Sequence, residues 1–275
     1  MKIVGICRFA FVGKGDWLGM TSPSTANDQA LLDAQAALLY ADERMERRLL
    51  TLEHICLASL KQQSDPDFEL IMLTSQRMPS KWKQRLEAVI SKLPQVTLVY
   101  SEATSTEEAL RPELRARAAQ NGKPVVQFRL DGDDAVGVDF VKTIRRNALK
   151  LRGYDRFALS FPRGLSVMSY EGQAPSFWQT WRPFTGAGVA ARLIAPGRSI
   201  FATNHFELPR NMLGCLDPEP VGHLVLRWDS GDTARHGTPP KPWGYEKISR
   251  SEFDAQITES FPALQGFDWS TLRQK

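Results

Sequence analysis

Two kinds of apolar segment alternate along the first half of this chain of 275 residues. Four segments are short and rich in β-branched or aromatic residues, which is typical of buried strands; they are residues 2–10, 68–74, 96–100 and 124–130. In four longer segments the apolar residues recur at helical spacing; these are about 28–61, 79–90, 105–119 and 140–151. Because strands that alternate with helices pair in parallel and are covered on both faces, we expect an α/β fold with a mostly parallel sheet.

The second half of the chain has a different pattern. Short strands are expected there; they are 156–168, 189–194, 199–203 and 223–228. Proline and glycine are dense at 231–244, which predicts a loop, and a helix is expected after Ser251. The sequence shows no internal repeat, low-complexity tract or linker. We therefore expect one domain over 1–275, made of two unequal halves at about 1–134 and 135–275.

The charge of the chain is mildly positive, with a formal net charge of +4 and a pI of about 9.0. Lysine and arginine are spread along the sequence, whereas proteins that follow a phosphate backbone concentrate them on one face. We therefore expect no nucleic-acid partner. A mildly basic surface suits a phosphate-bearing small molecule, and it also suits peripheral contact with an anionic membrane face.

The three cysteines, Cys7, Cys56 and Cys215, are far apart and odd in number. They form no CxxC pair that would indicate zinc, and no disulfide framework can be inferred from them. No run of about 18 apolar residues is present to span a bilayer. We therefore expect a protein of the reducing cytoplasm, in contact at most with the inner face of the membrane.

The most informative segment is Asp131-Gly132-Asp133-Asp134, which directly follows the strand at 124–130. In open α/β sheets, ligands bind beyond the carboxyl ends of the strands. Two carboxylates one residue apart can reach one hard cation, and Mg²⁺ or Mn²⁺ can bridge from them to diphosphate oxygens. The glycine gives the backbone freedom to turn. The alternative is a solvated turn, because Asp-Gly is a common turn dipeptide.

Several further segments match one known pattern. They are Arg8-Phe9-Ala10-Phe11 with Gly15-Asp16-Trp17, Glu43-Arg44-Met45 with Leu50-Thr51-Leu52-Glu53, residues 59–68, Ser75-Gln76-Arg77-Met78-Pro79, and residues 127–134. Together they resemble the rhamnosyltransferase family of bacteria, closely over about residues 1–150 and loosely beyond. More broadly the chain is similar to glycosyltransferase family 2, with the A-type, Rossmann-like fold and a smaller mixed half on the acceptor side.

This resemblance implies a metal-dependent transfer of a sugar from a nucleotide-sugar donor. Asp131, Asp133 and Asp134 would bind Mn²⁺ or Mg²⁺, and Gly132 stands where many relatives have an acidic residue. The donor pocket would be formed by residues at the ends of the early strands, namely Arg8, Phe9, Ser75, Arg77, Arg129 and Asp131. The ordinary alternatives are a surface arginine for Arg8 and a loop before a helix for Ser75 and Arg77.

Residues of the second half could complete the donor site. His236 and Lys241 lie in Arg235-His236-Gly237-Thr238-Pro239-Pro240-Lys241-Pro242-Trp243, which resembles a His…Lys-Pro-Trp segment of glycogenin-like transferases. An imidazole nitrogen can complete a Mn²⁺ shell, and a lysine can neutralise phosphate. His205, which follows a predicted strand, is a second candidate for the metal. A proline-rich surface loop and a structural histidine are the alternatives.

The acceptor side is less well defined by sequence. An inverting transferase needs a carboxylate base, and Asp217 and Glu219 are the candidates, with a proline turn as the alternative. The aromatic cluster Phe177, Trp178, Trp181 and Phe184 is expected in the core, although it could stack on sugars. The resemblance suggests a dTDP-rhamnose donor and a glycan or lipid-linked acceptor. Two other functions remain open: a nucleotidyltransferase, indicated faintly by Gly13-Lys14-Gly15, and a non-catalytic nucleotide- or carbohydrate-binding module.

Overall fold

The computed structural model describes residues 1–13, 29–228 and 244–272. Among these residues the helices are α1 (Gln29–Leu39), α2 (Asp42–Thr51), α3 (Ala58–Lys61), α4 (Ser80–Ile90), α5 (Thr106–Asn121), α6 (Phe140–Lys150), α7 (Leu208–Asn211) and α8 (Arg250–Ser260). A π-helical segment, Leu52–Leu57, joins α2 to α3. The predicted helix over 28–61 is therefore interrupted at Tyr40 and Ala41 and then continues through a widened turn.

The strands form two sheets. They are β1 (Ile3–Arg8), β2 (Glu69–Ser75), β3 (Val96–Ser101), β4 (Val126–Asp131), β5 (Ala135–Val136), β6 (Phe157–Ser160), β7 (Arg163–Ser169), β8 (Ser176–Trp181), β9 (Val189–Arg192), β10 (Leu213–Leu216), β11 (His223–Trp228) and β12 (Tyr245–Ile248). The larger sheet has the order β10-β6-β9-β4-β1-β2-β3, and the smaller has the order β12-β8-β7-β11-β5.

The larger sheet has a parallel core. Strand β1 pairs in parallel with β2 and β4, β2 pairs in parallel with β3, and β9 is the antiparallel member between β4 and β6. Its central strands β1 and β2 are mostly hydrophobic and are buried except at Arg8 and Glu69, as expected of a sheet covered on both faces. The predicted mostly parallel α/β sheet is confirmed. Three of its strands, β6, β9 and β10, come from the second half of the chain.

The carboxyl ends of the parallel strands lie along one edge of the larger sheet. In the β1–β4 pair Arg8 is opposite Asp131, and in the β2–β3 pair Ser75 is opposite Ser101. The acidic turn thus begins beside the end of β1. Several of the predicted site residues therefore lie at this edge, where ligands bind in open α/β sheets.

Strand β11 connects the smaller sheet to the acidic turn. It pairs antiparallel with β5, which directly follows the turn, so that Leu224 lies opposite Ala135. Helix α8 packs on the same sheet through Phe253, whose ring centroid is 4.5 Å from that of Phe177. The end of β11 is therefore held close to residues 131–134.

The structure differs from the sequence prediction in several short elements. The predicted strand at 199–203 is a 3₁₀ turn, Ile200–Ala202, because the Ser199 side chain accepts a hydrogen bond from the Phe201 amide and caps it. Strands β8, β10 and β12 were not predicted. In the described part of the chain, no helix is long and apolar enough to cross a bilayer.

Candidate active site

The acidic turn occupies the carboxyl edge of the larger sheet. Strand β4 ends at Asp131, and the chain turns back through a hydrogen bond from the Asp134 amide to the Asp131 carbonyl, 3.1 Å long. Asp131 and Asp133 are partly exposed, whereas Asp134 is buried. The first two carboxyl groups can therefore meet a ligand from solvent.

Asp131 lies between two arginines from neighbouring strands. Its carboxylate oxygens are 4.0 Å from Nη2 of Arg8 and 3.8 Å from Nη2 of Arg129. Burial alone would raise the pKa of Asp131, but Arg129, Arg8 and the more distant Arg48 and His205 outweigh it and hold that pKa below its usual range. Asp131 is therefore ionised at neutral pH.

The two arginines share an aromatic support. The guanidinium carbon of Arg8 lies 4.1 Å from the centroid of the Phe201 ring, and that of Arg129 lies 4.4 Å from it. Both side chains are largely shielded from solvent, at 10% and 13% exposure. A cation over an aromatic face is held by the ring quadrupole, so the pair is fixed in position beside the turn. Two guanidinium groups at one sheet edge favour an anion such as a diphosphate.

Asp133 is tied to the end of β11. Its Oδ2 accepts a hydrogen bond of 2.9 Å from Nε1 of Trp228, which is itself fully buried. This bond orients the carboxylate without neutralising it. Trp228 was not predicted as a site residue, because no sequence pattern relates it to the turn.

Asp134, which the sequence predicts as a metal ligand, has a buried side chain. Its side chain is 6% exposed, and Oδ1 accepts a hydrogen bond of 3.1 Å from the Leu226 amide. Burial, with Asp133 and Asp131 close by, raises the pKa of Asp134 well above its usual range. The side chain links the turn to β11 through the Leu226 amide, and its role as a metal ligand stays a prediction.

His205 lies close to the arginine pair. Its Nδ1 is hydrogen bonded to the Phe184 carbonyl, which requires Nδ1 to carry the proton. Burial, and next the charge of Arg129, lowers the pKa of His205 to about 4. The imidazole is therefore neutral at physiological pH, with Nε2 as the basic nitrogen, which is the form that binds metals.

The carboxylates suit Mg²⁺ or Mn²⁺ held together with a ligand phosphate. These cations prefer carboxylate oxygens, and Mg²⁺ commonly takes only one or two from protein, with water and phosphate completing the shell. Asp131 and Asp133 supply that number. Across 1–13, 29–228 and 244–272, no group of three His, Cys, Asp or Glu residues is arranged to hold a metal alone. The donor set therefore fits a cation bound together with a diphosphate.

The two residues predicted at the end of β2 are engaged in local contacts. Ser75 is buried, and its Oγ accepts a hydrogen bond of 3.2 Å from the Arg77 amide. The Arg77 guanidinium donates to Asp33 at 2.7 Å and to Gln29 at 3.0 Å, both on α1. They share the carboxyl edge with Asp131, and their role in donor binding stays a prediction.

Phe9 and Gly132 are placed differently from expectation. Phe9 is 1% exposed and lies in the core, so its ring supports the turn from below instead of facing a nucleotide. Gly132 has no positive φ, and a Cβ there would meet Phe9 at 3.5 Å, which is ordinary contact. The turn therefore does not require glycine, and a larger residue at this position is sterically allowed.

The two candidate bases lie further along the same edge. Strand β10 ends at Leu216, three strands from β4, which corresponds to about 14 Å at the usual strand spacing. Asp217 Oδ2 accepts hydrogen bonds from Asn147 at 2.6 Å and Arg146 at 2.9 Å, and Arg146 also binds Glu219 at 2.9 Å. Burial of Asp217 is outweighed by these bonds, which lower its pKa.

The remaining predicted residues divide into two groups. His236 and Lys241 lie outside the described residues. Of the aromatic cluster, Phe177 and Phe184 are buried as expected, whereas Trp181 is 46% exposed. Phe201 and Trp228, the two site residues that sequence reasoning missed, come from the second half of the chain and are brought to the turn only by the fold.

A profile of the family described as "Putative rhamnosyl transferase" matches residues 2–239. The chain belongs to this family, and it is accordingly a glycosyltransferase. No curated protein sequence is significantly similar to it.

Three solved structures illustrate the more distant likenesses. The S. aureus TarS 1-349 complex with UDP is 8% identical, with a TM-score of 0.42, over 98% of this chain and 68% of that one. A putative nucleotide-diphospho-sugar transferase of Desulfovibrio desulfuricans G20 is 11% identical, with a TM-score of 0.32, over 83% and 81%. GalNAc-T7 with UDP, GalNAc and Mn²⁺ is 11% identical, with a TM-score of 0.39, over 86% and 46%. Because their identities and TM-scores are this low, none of the three structures supports an argument about function.

Proposed function

We propose that this protein transfers a sugar from a nucleoside-diphosphate donor to a hydroxyl acceptor, using a divalent cation at the acidic turn. The observation that carries the proposal is the placement of Asp131 beside Arg8 and Arg129 at the carboxyl edge of the larger sheet, with Asp133 in the same turn. Family membership makes the reaction class a glycosyl transfer, and this edge is where such a fold binds ligands.

The residues of the turn have separable roles in this proposal. Asp131 and Asp133 would hold Mn²⁺ or Mg²⁺, which when bound neutralises charge that develops on the departing diphosphate. Arg8 and Arg129, held on the Phe201 ring, would bind the same diphosphate oxygens as charge-assisted donors. Because these guanidinium groups are fixed before the ligand arrives, little reorganisation is needed at the moment of transfer.

The acceptor side is assigned to the second half of the chain, residues 135–275, and the donor side to residues 1–134. Asp217 is the proposed base, with Glu219 as its neighbour. The lowered pKa of Asp217 keeps it ionised, as a base must be, but Arg146 and Asn147 occupy one oxygen. Its other oxygen accepts from the Glu219 amide at 3.2 Å, so activation of an acceptor would require these contacts to loosen.

The finer assignments are proposals, of which the family description supports only the rhamnosyl group. They are a rhamnosyl donor carried on dTDP, a glycan or lipid-linked acceptor, and action in the cytoplasm at the inner face of the membrane. His205, with a neutral imidazole near Asp131, is the described histidine best placed to add a metal or phosphate contact.

A thermal-shift panel tests the binding part of the proposal. Nucleoside diphosphates and nucleotide sugars are added with and without Mn²⁺ or Mg²⁺ to the wild type, to Asp133→Asn and to the surface control Asp254→Asn. A ligand at about 100 times its dissociation constant adds roughly 2.7 kcal/mol of stability, which is readily seen. We expect a metal-dependent shift with one nucleotide class in the wild type and the control.

The Asp133→Asn variant tests whether the acidic turn is the donor site. The proposal requires that Asp133→Asn folds and loses the metal-dependent part of the shift. An equal shift in this variant, or no response to any nucleotide in the wild type, would remove the acidic turn from the donor site.

A further inference from the structure

Five arginines lie together on a surface away from the acidic turn. They are Arg111, Arg115, Arg152, Arg156 and Arg198, all exposed. Most other arginines with described side chains form ion pairs or side-chain hydrogen bonds, and Arg182 stacks on Tyr245. None of these five has a side-chain ion pair with the residues that the structure describes. We call this surface the basic face.

The basic face is continuous because three segments converge on it. The backbone at Gly197 is covered by the stems of Arg111 and Arg115, whose Cγ atoms would lie 2.9 Å from a Cβ at that position. A side chain at this position would require these two arginine side chains to shift. Arg156 and Arg198 line one cavity of about 350 Å³.

The third segment, residues 152–156, is joined to the rest of the basic face through the buried side chain of Arg192. Arg192, at the end of β9, donates hydrogen bonds to the carbonyls of Arg152 and Tyr154. This places the segment that carries Arg152 and Arg156 beside the chain that continues from β9 towards Arg198.

Exposed apolar side chains project among these arginines. Ile194 is 58% exposed, Tyr154 is 53% exposed and Leu213 is 41% exposed. Ile194 lines the same cavity as Arg156 and Arg198, and Leu213 begins β10 opposite Phe157. The acidic residues nearest to the five arginines are Asp155, Glu107, which accepts a hydrogen bond from the Ser199 amide, and Glu108, so the arginines outnumber them.

We propose that the basic face is a docking surface for an anionic phospholipid bilayer. Phosphate headgroups complement the guanidinium groups, which have no ion pair among the described residues, while aliphatic and tyrosine side chains enter the headgroup boundary. Nucleic acid would match the charge but not the projecting Ile194 and Leu213. This surface is independent of the proposed donor site, and its failure would leave the transferase proposal intact.

The position of the basic face is compatible with activity on a membrane. It adjoins the amino ends of β4 and β6, whereas the acidic turn follows the carboxyl end of β4. The six residues of β4 span about 20 Å. Docking through the basic face would therefore place Asp131 at the other end of β4 from the membrane, with the segment from Arg198 to Phe201 running between the two.

Vesicle sedimentation tests the proposal with the full chain. Vesicles of phosphatidylcholine alone are compared with vesicles containing about 30% phosphatidylglycerol, at low and high salt. The test variant is Arg156→Gln with Arg198→Gln, and a second variant is Ile194→Asn. The matched control is Lys142→Gln with Arg163→Gln, which removes the same charge from a separate pocket. Thermal melts of all variants establish that they are folded.

We expect the wild type to bind the vesicles that contain phosphatidylglycerol and not those of phosphatidylcholine alone. High salt should weaken this binding. The arginine variant should bind roughly 30-fold more weakly, Ile194→Asn should also bind more weakly, and the control should be little changed. Three results would overturn the proposal: no binding of the wild type, an equal loss in the control, or displacement from vesicles by short duplex DNA at equal phosphate concentration.

Discussion

The carboxyl groups of Asp131 and Asp134 are three residues apart and lie in opposite environments. Asp131 is near two guanidinium groups, whereas Asp134 is buried against the Leu226 amide. The sequence presents both as equivalent members of one acidic turn. Only the fold separates a candidate ligand from a residue that supports the turn, since burial depends on β11, about 90 positions later in the chain.

A pair of substitutions at Asp134 tests the supporting role. Asp134→Ala leaves the buried Leu226 N–H without its acceptor, so we expect a loss of about 1–3 kcal/mol in the free energy of unfolding. Asp134→Asn keeps an oxygen at this position and should cost less than about 1 kcal/mol. Urea unfolding of the two variants measures the difference. Equal losses would contradict the role assigned to Oδ1.

His223 predicts a pH dependence of stability. Its ring is 1% exposed and packs against Gly164 and Gly188, so that burial lowers the pKa of His223 to about 4. In the unfolded chain this pKa is about 6.5. The folded state therefore prefers the neutral ring, and its contribution is complete above pH 6.5 and is lost as the pH falls towards 4.

Urea unfolding between pH 7.5 and pH 4.5 checks this dependence. The wild type should lose up to about 3 kcal/mol through His223 over that interval. His223→Gln, although less stable at pH 7.5, should show a shallower decline. The same slope in the variant and the wild type would contradict the assignment.

At the level of elements, strand–helix alternation was sufficient to predict β1 to β4 and helices α4 to α6. These elements are long, and their apolar pattern follows a single period. Strands β10 and β12 have four residues each and are largely exposed, and the six residues of β8 are only partly buried, so neither periodicity nor a hydrophobic run identifies these three strands. Their pairing depends on distant partners, which a local pattern does not specify.

The candidate site was predictable to a similar extent. The acidic turn and Arg8 stand out because they follow strong strands. Phe201 and Trp228 could not be recognised, since their roles arise from the return of the second half of the chain to the carboxyl edge. Strand β11 contributes most to the turn, because its residues donate hydrogen bonds to the side chains of both Asp133 and Asp134.

Substitution of Trp228 tests this role of β11. Trp228→Phe keeps most of the buried ring but removes the indole donor to Asp133. We expect a loss of about 1–3 kcal/mol in stability and a weaker metal-dependent response to nucleotide. Trp82→Phe is the control, because Trp82 is equally buried and its Nε1 has no hydrogen-bond partner among the described residues. A response as strong in Trp228→Phe as in the control would contradict the orienting role.

In the whole molecule, the two sheets meet at the acidic turn, and the basic face adjoins the amino ends of β4 and β6 in the larger sheet. This arrangement separates the proposed donor chemistry from the proposed membrane contact. Substitutions at the acidic turn should therefore remove donor binding without affecting vesicle binding, and substitutions in the basic face should do the reverse, provided that the fold is intact.

The acidic turn is proposed to carry out metal-dependent sugar transfer. The most direct measurement of this transfer is the release of nucleoside diphosphate from the nucleotide sugar identified by the thermal-shift panel, with Mn²⁺ or with chelator. Wild type and Asp254→Asn should release it only with metal, and Asp133→Asn should be slower by about 100-fold or more. Release by Asp133→Asn at the wild-type rate, or release unaffected by chelator, would show that the acidic turn is not the metal site of the reaction.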